Sequence, residues 1–233
     1  PLFPYTTLFR SEDKPFEGVF DGNRKSIKNL ELTNISDTKY NGLFGVVGKG
    51  GYVMDVVIES GRATTTASYT GAIVGKLLGS IATCENHMNI SSEKTAGGLV
   101  GLLVANGSIE NSYNTGKIIG NIAGGLVGSA ISSELDNEGN KYYTSGYVSN
   151  CYNTGEVLGN IAGGIAGRAN GYYIVNCIVN SEVKTSDGVC GGVVGYLSLQ
   201  DMENTPLVSV KENVYGGVMG CRVSGTVSGT HGV

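Results

Sequence analysis

The side chains able to do acid–base, metal or nucleophilic chemistry are few in this sequence, and they do not gather into known spacings. His87 stands in CENHMNI and His231 in GTHGV; neither lies in HExxH, the helical spacing that puts two zinc ligands on one face with a glutamate base between them. Five cysteines, an odd number with no CxxC pair, supply neither a zinc knuckle nor a fully paired disulfide framework. No GxSxG elbow and no GxxxxGK[ST] loop occurs, so nucleophilic and phosphoryl-transfer chemistry lack their parts. Carboxylates remain, since two acids on one outer face can flank a glycosidic bond. Glu134, Asp136, Glu138, Asp201 and Glu203 are the candidates, and all five sit in two insertions, where charge ordinarily keeps a loop solvated. The expectation is a chain that is not an enzyme and needs no cofactor and no metal. The alternative is a polysaccharide lyase or glycoside hydrolase.

Aromatic side chains suit binding better. One insertion, residues 131–147, carries Tyr142, Tyr143 and Tyr147, and the corresponding corner of the next unit carries Tyr172 and Tyr173. A phenol offers a flat apolar face with a polar tip, so these five are the candidate ligand-binding patch, for a glycan or a host or microbial surface protein. The competing reading is that the rings only pack the insertion onto the body of the protein.

What must position them is a repeat. The words NGLFG, GAIVG, GGLVG, GGLVG, GGIAG and GGVVG close at Gly45, Gly75, Gly101, Gly128, Gly167 and Gly195, which are 30, 26, 27, 39 and 28 residues apart. Between them a second word recurs, an apolar residue followed by small polar residues and often cysteine, at 81–84, 109–112, 148–151, 174–177 and 218–221. A unit of about 27 residues without a helical pattern is too long for one hairpin and too short for a strand–helix unit with its loops. Three short strands and three turns fill it. Stacked in parallel about 4.8 Å apart, with the right-handed preference of parallel connections, such units make an all-β, right-handed parallel β-helix (β-solenoid) of six to seven coils, three short strands per coil, roughly 30 Å long. Leucine-rich repeats demand LxxLxLxxN, which no copy shows, and a propeller needs four strands per ~40 residues.

This architecture gives the glycines and cysteines structural work. Each Gly-Gly pair admits backbone where a Cβ would hinder it. Leu99, Leu126, Ile165 and Val193 are expected to stack inside. Cys84, Ser112, Cys151, Cys177 and Cys221 share one repeat position and are expected to form an interior column of small, soft side chains. The coil spacing exceeds the ~3.8 Å between Cβ atoms of a disulfide, which disfavours bridging neighbours in the column. Asn111, Asn150 and Asn176 are expected to form an amide ladder at a bend.

Composition agrees. Glycine is 38 of 233 residues, about twice the usual ~7%, without a collagen-like period. Tyrosine outnumbers phenylalanine 13 to 5 and tryptophan is absent. A net charge of −4 with 15% charged residues supplies no basic stripe for nucleic acid and no polybasic patch for a membrane surface. The longest run of apolar residues and glycine, 96–105, is far short of the ~18 residues needed to span a bilayer. Residues 2–11, LFPYTTLFRS, read as the translation of a widely used sequencing adapter, so residues 1–11 are set apart as an expected artefact and 12–233 as a single solenoid domain, expected to be truncated at both ends.

The words AGGLVG and GGIAG, alternating with NSYNTG and NCYNTG, resemble the GLUG repeat, and the segment 16–32, FEGVFDGNRKSIKNLEL, is similar to the one that often opens such arrays. The resemblance covers residues 15–229, with a departure after Gly195, where a long insertion precedes the last second-word copy and no GGLVG follows. It implies a large secreted or wall-attached protein of gut or oral bacteria, in some cases with the repeats upstream of an immunoglobulin A metallopeptidase domain. The expected role is therefore adhesion or spacing, outside the cell.

Overall fold

The computed structural model describes residues 11–33, 39–135, 141–198, 216–229 and 231–232. Among the described residues its coils stack through parallel strand pairs, each strand bonded to its counterpart one circuit earlier and one later, which is a parallel β-helix. Seven coils begin at Val19, Tyr52, Ser80, Ser108, Tyr147, Tyr173 and Gly217. The coil is divided more finely than the expected three strands. Coil 4 shows the pattern of five: Ser108–Glu110, Tyr113–Asn114, Ile118–Ile119, Ile122–Gly124 and Val127–Ile131. Corresponding strands form five ladders, first to fifth in that order; the first four have seven strands and the fifth has six.

Backbone bends explain the finer division. Between the first and second ladders, coils 2 to 7 each place one residue in the left-handed region: Asp55 (φ 54), Thr83 (φ 51), Asn111 (φ 48), Asn150 (φ 53), Asn176 (φ 53) and Gly220 (φ 62). Asp, Asn and Gly tolerate that region best, and each such residue ends one short strand and re-aims the next. The asparagines expected to ladder at a bend are therefore present for their backbone. Of the three, Asn176 donates to Asn150 at 3.5 Å, on the exposed side.

The interior column is made of a different set. Asn86, Asn114 and Asn153, all wholly buried on the second ladder, donate Nδ2 to the next Oδ1: Asn86 to Asn114 at 2.7 Å, Asn114 to Asn153 at 2.9 Å, and Asn153 on to Ser181 Oγ at 3.1 Å. Each also closes its own turn, for example Asn114 Nδ2 to the Gly116 carbonyl at 2.8 Å and the Gly116 N–H to Asn114 Oδ1 at 3.2 Å. A buried amide so satisfied carries no desolvation penalty, and it fixes the vertical register of the coils.

The Gly-Gly-x-x-Gly word turns the chain from the fourth ladder to the fifth. In the copy at 97–101 no glycine has positive φ; the need is for space. A Cβ on Gly97 would lie 2.5 Å from Gly128 N and one on Gly98 2.6 Å from Asn114 Cγ, both in the coil above, while one on Gly101 would lie 2.6 Å from Thr70 N in the coil below. The two words of the repeat thus touch: the second glycine of one packs against the interior asparagine of the other.

Apolar columns fill the remainder. The central residue of the first ladder runs Val53, Ile81, Ile109, Val148 and Ile174, none more than 1% exposed, and Leu99, Leu126 and Ile165 are wholly buried, with half-buried Val193 packed against them. Each such side chain contributes about 1.5–3 kcal/mol by leaving water. Phe16, Phe20 and Phe44 meet at the first coil, with ring centroids 5.1 and 5.3 Å from Phe44.

The cysteine column stands as expected. Cys84, Cys151 and Cys177 are buried, Cys221 is half-buried, and all are free thiols. The column is bonded throughout: the Cys84 N–H donates to Ser112 Oγ at 3.0 Å, the Ser112 N–H to Cys151 Sγ at 3.4 Å, and the Cys177 N–H to Cys221 Sγ at 3.4 Å. Cys190 lies in the fourth ladder at the level of Ala123 and Ala162 in the coils below. Burial pushes the Cys84 thiol up to about 12 and the Cys151 thiol well above the usual value, so the thiolate that would react is scarce. Iodoacetamide applied to the native protein is expected to alkylate Cys221 first and to leave Cys84 and Cys151 unmodified until denaturant is added, as read by peptide mass spectrometry. Rapid native labelling of Cys84 would contradict the closed column.

Candidate functional site

Outward positions of the first and second ladders make one continuous face of the rod, three columns wide. Its rows read Ser80, Ala82, Glu85 on coil 3, Ser108, Glu110, Tyr113 on coil 4, Tyr147, Ser149, Tyr152 on coil 5 and Tyr173, Val175, Ile178 on coil 6. Strand alternation puts these residues outside because their neighbours Ile109, Val148 and Ile174 fill the core.

Tyr113 and Tyr152 stack with ring centroids 4.7 Å apart and planes 9° from parallel. Below them Glu85, only 7% exposed, accepts from the Tyr113 hydroxyl at one oxygen and from the Arg24 guanidinium at the other. Arg24 belongs to coil 1, so the pair braces across coil 2. His87 stands edge-on to Tyr113 at 5.6 Å, with Nδ1 2.7 Å from Thr115 Oγ1 and Nε2 3.6 Å from Glu85 Oε2. Burial works against the Glu85 charge, but the bonds from Tyr113 and Arg24 outweigh it and hold the carboxyl below its ordinary range. Burial, and then the Glu85 carboxylate, push the Tyr113 phenol up to about 12.

A carboxyl whose folded value is depressed adds stability above its unfolded value, about 4.3 for glutamate, and loses it as pH falls through the folded value. Glu85→Gln is therefore expected to lower the urea midpoint at neutral pH and to flatten its decline in acid. Parallel acid limbs in wild type and variant would remove Glu85 from that account.

The expected patch is partly rearranged. Tyr147 is 40% exposed, and its hydroxyl donates to Glu110 Oε1 at 2.7 Å. Tyr173 lies beside it on the next coil, half-buried. Tyr172 is not on the face. Gly171, at φ 65, turns the chain so that this ring enters the core, wholly buried, with its hydroxyl donating to the Ala105 carbonyl. Tyr142 and Tyr143 fall on the strand Lys141–Tyr143, which pairs antiparallel with Ser133–Leu135 in the insertion; their side chains lie outside the described residues. So do the side chains of Glu134 and His231 and the whole of Asp136, Glu138, Asp201 and Glu203. Tyr113 and Tyr152 were absent from the expected patch, although a signal was available: both begin the YNTG words, and any outward residue at one repeat position stacks on its own copy. Among the described residues no group of three or more His, Cys, Asp or Glu could hold a metal ion, and no helix is long and apolar enough to cross a membrane.

Fold and face together define a parallel β-helical repeat protein whose coil is one sequence repeat. Residues 92–119 match the family model described as the GLUG motif, and they make one full circuit, from the end of the third ladder in coil 3 to the same ladder in coil 4. The copy of the repeat at these residues thus matches the GLUG motif. A solved structure described as a putative immunoglobulin A1 protease from Bacteroides ovatus is similar to this chain at 25% identity and a TM-score of 0.55, over 97% of this chain and 67% of that one. The comparison with curated proteins gives no match.

Proposed function

We propose that the chain is a non-enzymatic repeat module of a secreted or cell-wall-attached bacterial protein, acting outside the cell in adhesion or as a spacer. The observation that carries this reading is where the repeated residues go. The glycines, asparagines and cysteines of the GLUG words are used up by coil stacking, and the outer face carries tyrosines already bonded to neighbouring carboxylates. Partners of this reading are a glycan or a host or microbial surface protein, not nucleic acid. The likeness to the Bacteroides ovatus protein favours one more specific version, in which these coils are the non-catalytic part of a larger surface peptidase.

Incubation with a panel of polysaccharides and with immunoglobulin A, followed by reducing-end and gel assays, tests it. No cleavage is expected; saturable binding to any of them marks an adhesive module, and its lack a spacer. Release of oligosaccharides or of immunoglobulin fragments would overturn the reading in favour of a lyase, a glycosidase or a peptidase.

A further inference from the structure

We propose that the outer face of the first and second ladders, over coils 2 to 6, binds a neutral polysaccharide chain. This rests on the binding-module reading above and names its ligand class. Five tyrosines occupy that one face: Tyr52, Tyr113, Tyr147, Tyr152 and Tyr173. Around the third ladder the exterior is instead a run of ion pairs, Arg62 with Glu31 at 3.3 Å, Lys117 with Glu156 at 2.8 Å and Lys184 with Glu182 at 2.7 Å. The rod therefore has a phenolic side and a charged side.

The relief of the phenolic side suits a flat, hydroxyl-bearing ligand. In the first column Tyr52 and Tyr147 bracket two serines, Ser80 and Ser108, whose hydroxyls bond to each other at 2.9 Å. Tyr147 reaches down one coil to Glu110, and Ser108 beside it is only 4% exposed, so the phenol lies across coil 4 above a low serine floor. Beside this trough run the exposed edges of the Tyr113–Tyr152 stack and Ile178, the last 48% exposed. The carboxylates on the face are hydrogen-bonded within it: Glu110 accepts from Tyr147, and Glu85 accepts from Tyr113 and Arg24 with His87 beside it. Among the described residues of coils 2 to 6 an anionic polymer would find no arginine or lysine in these rows, and Arg222 follows Ile178 only on coil 7, whereas a neutral sugar chain meets apolar ring surface together with hydroxyl donors and acceptors. Successive rows recur at the coil spacing of about 4.8 Å, which lets one extended chain touch several of them.

The test is affinity electrophoresis of the chain in gels containing glucomannan or xyloglucan, with polygalacturonate and hyaluronan as anionic arms and immobilised immunoglobulin A as a protein arm. A neutral polymer is expected to retard the protein, and Tyr147→Ala and Tyr152→Ala are each expected to weaken that retardation about tenfold. Ile178→Lys, at an exposed position, is expected to do the same with an unchanged melting curve, which separates lost binding from lost folding. Three results would overturn the proposal: no retardation by either neutral polymer, equal retardation of wild type and variants, or binding confined to the anionic or protein arms. Binding to immunoglobulin A alone would sink the glycan site and leave the adhesive reading standing. Reducing ends released from a bound polymer would sink the non-enzymatic reading and leave the glycan site.

Discussion

Gly125→Ala will lower the stability of the rod by about 3 kcal/mol, the upper part of the range for overpacking, because neither of the atoms it strikes can move away. The new Cβ would overlap the Gly164 carbonyl in the coil above and come within 2.5 Å of Asn153 Cγ. The first is backbone tied into the fourth-to-fifth ladder bend. The second belongs to an amide held by Asn114, Gly155 and Ser181. Any relief must separate coil 4 from coil 5, and in a linear repeat the nearest-neighbour interface is where stability resides. Gly217→Ala is the control: a Cβ there meets nothing within 4 Å, so its effect should stay within about 0.5 kcal/mol. Urea unfolding followed by circular dichroism reads both. Equal midpoints for the two variants would show that close coil approach at the glycine word is not what selects glycine.

That contrast marks what could be read in the chain beforehand. Recurrence at a near-constant interval is a one-dimensional signal, and it is enough to yield parallel stacking, the number of coils, the cysteine column and the crowded glycines. It does not say how often a coil bends. Two-residue strands such as Tyr113–Asn114 have no periodicity of their own, so a coil expected to hold three strands holds five, and the left-handed bend at Asn111 suits asparagine for its backbone as well as for an amide ladder, which left the buried column of Asn86, Asn114 and Asn153 unnoticed. Asn114 and Asn153 carried the better clue, being followed two residues later by glycine, whose N–H and carbonyl their side chains hold. Tyr172 departs from the expected patch for a related reason. Adjacent strand residues point to opposite faces, and which of the pair enters the core is set by Gly171, not by the tyrosines.

The asparagine column gives the second large effect, and its form is more diagnostic than its size. Asn114→Val should cost about 3 kcal/mol. It leaves the Asn86 amide and the Asn153 oxygen facing methyl groups, and it frees the Gly116 N–H and carbonyl that Asn114 held. Replacing Asn86, Asn114 and Asn153 together by valine should cost clearly less than the sum of the three single changes, by more than about 2 kcal/mol, because partners removed together leave only Ser181 Oγ without its bond between coils. The column already accepts such residues: Ile58 precedes Asn86 in register, Val179 and Val223 follow Asn153, and Gly164 lies against Val179 much as Gly98 lies against Asn114. The penalty that persists in the triple variant then measures the three turns that the asparagines close, one each, and the portion that vanishes measures the vertical bonds. Strictly additive losses across the series would mean that the asparagines act coil by coil, holding their own turns, and that the register of the stack comes from the apolar columns and glycine contacts alone.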